Sequence, residues 1–461
     1  MLLKKLIKNC PIKLSDIKVK GLSSDTRKIK KGDLFFALKG SKINGEKFIS
    51  QALKKGACAI VSSKEIQGKS KIIKVNNVRE HLGKICSKFY NKKPKNIIAV
   101  TGTNGKSSVA DFFHQILTLN GLSVATIGTL GVKTKKTKKI NLTSPDSISL
   151  HKELHELKEK KIENVLLEAS SHGLIQGRLE GINIKAGIFT NLSQDHIDYH
   201  KSMRNYLNAK LILLRRLLKK NSFIITDQSI PQYKKIKNIA LKKGLKKKLI
   251  NSLEDDYNLE SFKPIGNFQK KNLLMAIKAC EILGLSKKNI SRCINKLKSV
   301  RGRLELVREF SDQTKVFIDF AHTPDAIKTA ITSLRAQYDK DITIVFGCGG
   351  ERDKGKREKI GKIVNRLCRK IFVTDDNPRG ENPRNIRKAI IKNIKREKVF
   401  EIPNRTLAIR SAIKQSRLNE IILIAGKGHE EFQDYGKKII KISDFGIVKN
   451  IKFKKNNSKI K

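Results

Sequence analysis

The segment Thr101-Gly-Thr-Asn-Gly-Lys-Ser-Ser108 constrains this chain more than any other. It follows the β-branched run IIAVT, which starts at Ile97. After it, Val109, Phe112, Phe113, Ile116 and Leu117 recur at the spacing of one helical face, with Gly121 placed to end the helix. Strand, glycine turn and helix start in immediate succession make an anion cradle, in which backbone N–H groups and the positive helix end face phosphates. Lys106 adds a charge and the Ser107 hydroxyl can reach Mg²⁺. The strict GxxxxGK[ST] pattern would place glycine at 100, where Val100 stands. An ordinary strand–helix turn is the bland alternative. The flanking elements favour nucleotide binding through Gly102, Thr103, Asn104, Gly105, Lys106, Ser107 and Ser108.

A chain of 461 residues suggests about three domains at roughly 150 residues each. Its 39% hydrophobic content is enough for several cores and too high for disorder. The expected architecture is α/β throughout. A small N-terminal α/β domain spans 1–92, a central mononucleotide-binding α/β domain of the phosphate-loop type spans 93–302, and a C-terminal Rossmann-like α/β domain spans 303–461. In the last, VFIDF, ITIVFG, IFVTD, VFEIP and IILIAG read as strands, the first four each followed by an amphipathic helical stretch. That alternation predicts a parallel sheet covered on both faces, with ligands beyond the strands' carboxyl ends. The tail from Lys449 is low in complexity and expected to fray.

Further polar clusters follow two more apolar runs. Glu168-Ala-Ser-Ser-His-Gly-Leu-Ile-Gln-Gly-Arg178 puts a carboxylate at a strand end, and IFTNLSQDHIDYH places Asp195, His196, Asp198 and His200 after another. Mg²⁺ prefers oxygen ligands, so Glu168 suits it beside phosphates. Zinc would need a third soft ligand, for which no spacing is suitable. Lys210 shares a helical face with Leu207, Leu211 and Leu214. It either snorkels to the edge, or is desolvated and nucleophilic enough to capture CO₂ as a carbamate. The residues alone leave both readings open.

The motifs TGTNGKSS, LEASSHGLIQGRL, NLSQDHIDYH, YLNAKL, DFAHTPDA, FGCGGERDKGKR, TDDNPRGENP and AGKGHEEFQ occur in the order seen in Mur ligases. The chain resembles the branch that adds the third peptide residue to the peptidoglycan precursor. The resemblance covers nearly the whole chain, and its CGGERDKGKR, DNPR and GKGHE trio is the narrowest part. It implies that Ser24, Thr26, Ser41, Lys42, Ile43, Thr143, Ser144, Ser170, Gln176 and Arg178 hold UDP-N-acetylmuramoyl-L-alanyl-D-glutamate. ATP would take residues 102–108 with Asn267, Asp319 and His322 on its adenine and ribose side. Ser107, Glu168, His196 and Lys210 would hold Mg²⁺, Lys210 as N6-carboxylysine. Lys106, Glu168, His196 and Lys210 would be the catalytic set. Departures are mild: Ser107-Ser108 stands where Thr-Thr is common, and Glu351 replaces a frequent Asp.

The implied chemistry is ATP-driven amide formation through an acyl phosphate, with positioning and charge neutralisation supplying catalysis. A third domain hinged near Arg301-Gly-Arg303 would exclude water. Meso-diaminopimelate carries a far-end carboxylate and ammonium. Arg352, Asp376, Asn377, Pro378, Arg379, Gly426 and Glu430 would receive it, Arg379 gripping the carboxylate and Asp376, Asn377 and Glu430 the ammonium. L-lysine would leave Arg379 unpaired. An L-lysine-adding ligase and a folylpolyglutamate synthase-like ligase are the nearest rivals.

Lys and Arg total 99 against 42 Asp and Glu, a net charge of +57. A basic nucleic-acid-binding NTPase is the rival from another class. The lysines are spread among abundant Ile and Asn without basic blocks carrying stacking aromatics, which favours a compositional bias and no nucleic-acid partner. Seven scattered cysteines form no C-x-x-C pair and read as reduced thiols. MLLKKLIKNC is broken by lysines too early for a signal peptide, and no apolar run reaches the ~20 residues of a membrane span. The expectation is a cytoplasmic monomer acting on small molecules without membrane insertion.

Overall fold

The computed structural model describes residues 1–40, 43–65, 70–138, 142–254 and 257–451. Ser41 and Lys42, and the tail from residue 452 expected to fray, lie outside the described residues. The chain forms two compact units: one contains 1–101, 117–189 and 208–251, the other 102–116, 190–207 and 252–461.

The first unit carries two sheets. Strands Gly21–Ser23, Asp33–Phe36, Ala59–Ser62 and Ile72–Lys74 lie parallel in chain order. Their side chains alternate between two cores, as a pleat of period two requires. Leu22, Leu34, Phe36, Val61 and Ile73 pack with Val78, Leu82 and Ile85 of helix Val78–Phe89. Phe35 and Ile60 face Ile49 and Ala52 on the other side. The larger sheet runs Leu249–Asn251, Leu218–Thr226, Ile184–Phe189, Asn96–Thr101, Asn164–Glu168, Val124–Gly128, Gly131–Lys133, Thr137–Lys138. Its first six strands are parallel, and the last two fold back as an antiparallel extension. The chain winds to one side of strand Asn96–Thr101 and then to the other. The loop after that strand therefore leaves from the point where the winding reverses, the ligand end of such sheets. Register Val100↔Glu168 places Glu168 at the same end.

The third sheet, in the second unit, has the order Glu305–Glu309, Lys315–Asp319, Ile421–Ala425, Ile342–Phe346, Lys370–Val373, Val399–Glu401. The five strands expected from sequence are present and parallel, and an unforeseen antiparallel edge strand, Glu305–Glu309, joins them. Its residues are half-buried or exposed, so no apolar run announced it. Helices Pro324–Tyr338, Gly355–Leu367 and Pro383–Ile391 cover one face through Ile331, Ile360 and Ile390. Helices Arg405–Lys414 and Asp444–Lys449 cover the other through Ile409, Ile413 and Val448. The first helix starts sharply because the Thr323 side chain accepts from the Ala326 N–H and Pro324 opens the turn. Asn382 and Pro383 do the same for Pro383–Ile391.

Candidate active site

The phosphate loop is held by backbone geometry that only glycine tolerates cheaply. Gly102 has φ +148° and Gly105 φ +88°. A Cβ would strike the Thr190 hydroxyl at the first and the Asn272 amide at the second. The Asn104 N–H donates to Asn191 Oδ1 at 2.9 Å, and the Thr190 hydroxyl donates to the Asn104 carbonyl at 2.6 Å. Thr103 Oγ1 accepts from the Ser193 N–H at 3.0 Å and meets the Tyr206 hydroxyl at 3.3 Å. Lys106 opens helix Lys106–Leu119 and folds back on the carbonyls of Gly102 and Thr103 at 2.9 and 2.8 Å, which keeps its ammonium over the loop. Ser107 and Ser108 are buried. Ser107 Oγ accepts from Arg303 at 3.0 Å, and that guanidinium lies 4.3 Å from the Phe320 ring centroid. Arg303, Asn272 and Phe320 were not singled out as site residues from sequence, because nothing in spacing links them to a loop some 160 or more residues away.

In the same unit, Asp195, His196 and His322 come together. Asp195 Oδ2 lies 3.3 Å from His196 Nε2 and 3.6 Å from His322 Nε2. Burial would raise the Asp195 carboxyl, but hydrogen bonding and charge from His322, then His196 and Lys356, outweigh it and hold the group well below the ordinary range. His196 sits at φ +55° before the short helix Ile197–His200. Asp319 is buried and already accepts from the Leu304 and Ala321 N–H groups at 2.5 and 2.6 Å, which fastens the chain after Arg303. Burial raises its pKa despite Arg303. Asn267, expected beside Asp319 and His322, is exposed at the start of helix Asn267–Ile282.

In the first unit, Glu168 is 3% exposed. The Thr129 N–H donates to its Oε1 and the Thr129 hydroxyl to its Oε2, both at 3.0 Å. The same hydroxyl meets Thr143 Oγ1 at 3.1 Å. Ser144 Oγ donates to the Glu168 carbonyl at 2.8 Å and accepts from the Ser170 N–H at 2.9 Å. Arg178 donates to the Ser144 carbonyl at 2.5 Å and to Gln176 Oε1 at 2.7 Å. Thr143, Ser144, Ser170, Gln176 and Arg178 thus form one polar cluster around Glu168. Ser24 and Thr26 follow strand Gly21–Ser23 on the smaller sheet, and Ile43 is 59% exposed. Lys210, on helix Met203–Ile212, is only 1% exposed, and a π turn, Leu213–Leu217, follows it. Its side chain therefore does not snorkel to the edge. Among the described residues no group of three or more His, Cys, Asp or Glu side chains is arranged to hold a metal.

The third sheet gathers the remaining residues on three loops after strands Ile342–Phe346, Lys370–Val373 and Ile421–Ala425. Arg352 is exposed, whereas Asp376, Asn377 and Pro378 are buried. Arg379 sits at φ +55°; it donates to the Gly350 carbonyl at 2.9 Å, and its Nε lies 3.9 Å from Asp434. Burial and then Arg352 push its pKa down. Gly426 faces Asp376 across the adjoining loops. Asn377 Nδ2 donates to Glu430 Oε2 at 3.0 Å. Its oxygen accepts from Lys427 at 3.1 Å and from the Asp434 N–H at 3.0 Å, so both acceptor directions are taken. Glu430 Oε2 also accepts from Lys427 at 2.9 Å. Gln433 donates to the carbonyls of Asp375 and Asp376, and the Tyr435 hydroxyl donates to the Asp375 carboxylate. Hairpin Phe432–Asp434 with Ile439–Lys441 carries these anchors and was not expected. Lys427 lay within a motif already singled out, but its neighbour Glu430 was taken as the functional residue.

A doubly wound sheet opening on a glycine loop is the architecture of a mononucleotide-binding α/β protein. The model for the Mur ligase family catalytic domain matches 18–90, that for the Mur ligase middle domain 100–280, and that for the Mur ligase glutamate ligase domain 302–428. The UDP-N-acetylmuramoyl-L-alanyl-D-glutamate--2,6-diaminopimelate ligase of Rickettsia bellii (strain RML369-C) is 39% identical over 454 residues, covering 92% of this chain and 94% of that one. Its counterpart in Rhizobium meliloti (strain 1021) is 38% identical over 458 residues, covering 94% of each. A solved structure of a ligase with the same name aligns with TM-score 0.66 at 28% identity over 97% of this chain and 98% of that one. The folylpolyglutamate synthase of Mycobacterium tuberculosis complexed with ADP and AMPPCP shares the fold at TM-score 0.63 and 15% identity, over 76% of this chain and 92% of that one. The chain belongs to the Mur ligase family. It is accordingly an ATP-dependent ligase built from three α/β domains.

Proposed function

We propose that this chain joins meso-diaminopimelate to UDP-N-acetylmuramoyl-L-alanyl-D-glutamate in cytoplasmic peptidoglycan precursor synthesis, with the domain division 1–92, 93–302 and 303–461. What supports the reading most is the third-sheet cluster, where Arg379 stands beside Asp376 and Glu430, in a chain that is 39% identical to a ligase of that name over 92% of its length. Those charges complement a far end bearing one carboxylate and one ammonium. Because the Asn377 oxygen is occupied, the ammonium falls to Asp376 and Glu430, and Asn377 is left as a donor.

Residues 102–108 hold the ATP phosphates, with Lys106 neutralising charge as the γ-phosphoryl passes to the D-glutamyl side-chain carboxylate. The amine attacks the resulting acyl phosphate, and phosphate leaves. Thr143, Ser144, Ser170, Gln176 and Arg178 orient the acceptor, with Ser24, Thr26, Ser41, Lys42 and Ile43 on the nucleotide side. Asn267, Asp319 and His322 serve the adenosine side of ATP. The family resemblance implies Mg²⁺ ligands at Glu168, Ser107, His196 and Lys210 as its carbamate, and the buried Glu168 carboxylate and Ser107 hydroxyl are oxygen donors of the kind Mg²⁺ prefers. Mg²⁺ bound there would offset phosphate charge.

A ligation assay with ATP and the UDP-muramoyl dipeptide tests the proposal. Phosphate release is expected only when the dipeptide nucleotide and the amino acid are both present, with meso-diaminopimelate favoured over L-lysine by on the order of 100-fold. Equal use of L-lysine would remove the diaminopimelate reading. Phosphate release driven by RNA or DNA would remove the ligase reading.

A further inference from the structure

Lys427 is fully buried and holds two members of the proposed amino-acid site at once. Its ammonium donates to Asn377 Oδ1 at 3.1 Å and to Glu430 Oε2 at 2.9 Å. A cation with no solvent is retained only where anions and acceptors surround it. Arg352, Asp376, Asp434 and Glu430 act electrostatically on Arg379. With Lys427 included, the cations Arg352, Arg379 and Lys427 face the anions Asp376, Glu430 and Asp434, and the local charge balances. The buried pairs Arg405–Asp444 and Arg357–Glu381 close by are internally neutral, and Arg387 is shared between Asp375 and the solvent-exposed Glu401. A balanced site complements a far end that is itself neutral overall, one carboxylate with one ammonium. It disfavours a far end carrying an ammonium alone.

We infer that Lys427 is a specificity-determining positioning residue, whose buried charge cancels one carboxylate of the site and so selects a zwitterionic over a cationic amino-acid end. This rests on the diaminopimelate reading above. Lys427 also fixes geometry: it shares Glu430 Oε2 with Asn377, which leaves Glu430 Oε1 to meet the ligand ammonium. Without it the site keeps the same carboxylates with one cation fewer, and its preference moves toward a cation. Specificity is a difference between two affinities, so the effect appears in their ratio.

The experiment compares the full-length protein with Lys427→Met, Lys427→Gln and Lys427→Arg, measuring kcat/KM for meso-diaminopimelate and for L-lysine at saturating ATP and UDP-muramoyl dipeptide. Both neutral variants are expected to lower the diaminopimelate-to-lysine ratio by about tenfold or more while KM for ATP stays put, and Lys427→Arg is expected to restore the preference. A parallel fall for both amino acids, leaving the ratio intact, would make Lys427 merely structural. Loss of soluble protein in both neutral variants beside a normal Lys427→Arg would overturn the inference in the same way. If the unaltered protein fails to ligate or to discriminate, the diaminopimelate reading itself fails, which these variants do not touch.

Discussion

Lys210 shows what the structure adds at a single residue, namely whether a side chain reaches solvent. On a face with Leu207, Leu211 and Leu214, a long cationic side chain has room to reach solvent, and spacing alone cannot say whether it does. At 1% exposure it does not. Lys210→Ala and Lys210→Arg are both expected to lose ligation by at least about 100-fold, the arginine variant because a guanidinium cannot form the carbamate. Mass spectrometry on gently handled protein should find a carbon dioxide adduct on Lys210 that acid removes. Full turnover in either variant would discard the carbamate. The phosphate loop's geometry, by contrast, was legible in the sequence, because Gly102, Gly105, Lys106 and Ser107 all fall within one short segment between a strand and a helix. Thr129, Arg303 and Lys427 were not, since each touches a site residue distant in sequence or was overshadowed by a neighbour within its own motif.

At the scale of elements, strand and helix order in the third sheet could be read because its four central strands are short apolar runs buried on both faces. Edge strand Glu305–Glu309 and hairpin Phe432–Lys441 carry charged or exposed residues, and their pairing depends on partners the local pattern does not reveal. The same holds for the ion pair that ties helix Arg405–Lys414 to helix Asp444–Lys449. Arg405 donates to Asp444 at 2.8 and 2.7 Å with both side chains wholly buried. Arg405→Met is expected to cost about 3–5 kcal/mol, because it strands a buried carboxylate, and Arg405→Met with Asp444→Leu to recover most of that loss. Urea unfolding of the two variants checks it. Equal destabilisation by both would mean that packing, not charge, sets the cost.

Helix Ser147–Glu159 carries an acid-sensitive group of the same kind. His151 is fully buried with Nε2 2.9 Å from the Glu180 carbonyl, and burial, then the charge of Lys93, lower its pKa from 6.5 to about 4. Between those values the unfolded chain binds the proton and the folded chain does not. Stability contributed by this group is therefore intact above pH 6.5 and is lost as pH falls toward about 4, at roughly 1.4 kcal/mol per pH unit. His151→Gln should flatten that limb of the stability profile. An unchanged slope would assign the acid loss to other groups.

For the molecule as a whole the governing quantity is charge. With 99 basic and 42 acidic side chains, complete one-to-one pairing would still leave the net +57. Exposed pairs such as Lys84–Glu80 and Lys92–Glu159 contribute little each, whereas unpaired lysines repel one another over the whole surface. Screening acts on that repulsion first, since the Debye length shrinks from about 30 Å at 0.01 M salt to about 10 Å at 0.1 M. The unfolding midpoint is therefore expected to rise as NaCl increases from 0.01 M to about 0.3 M, opposite to a fold whose surface pairs dominate. The same charge will adsorb RNA at low salt with an affinity that falls steeply as salt is added. Adsorption of that kind carries no catalytic consequence if phosphate transfer depends on the muramoyl dipeptide, so RNA should leave phosphate release unstimulated at every ionic strength. A midpoint that falls with salt, or RNA-stimulated turnover that survives at 0.3 M, would mean the excess of lysine is part of the function and not a bias of composition.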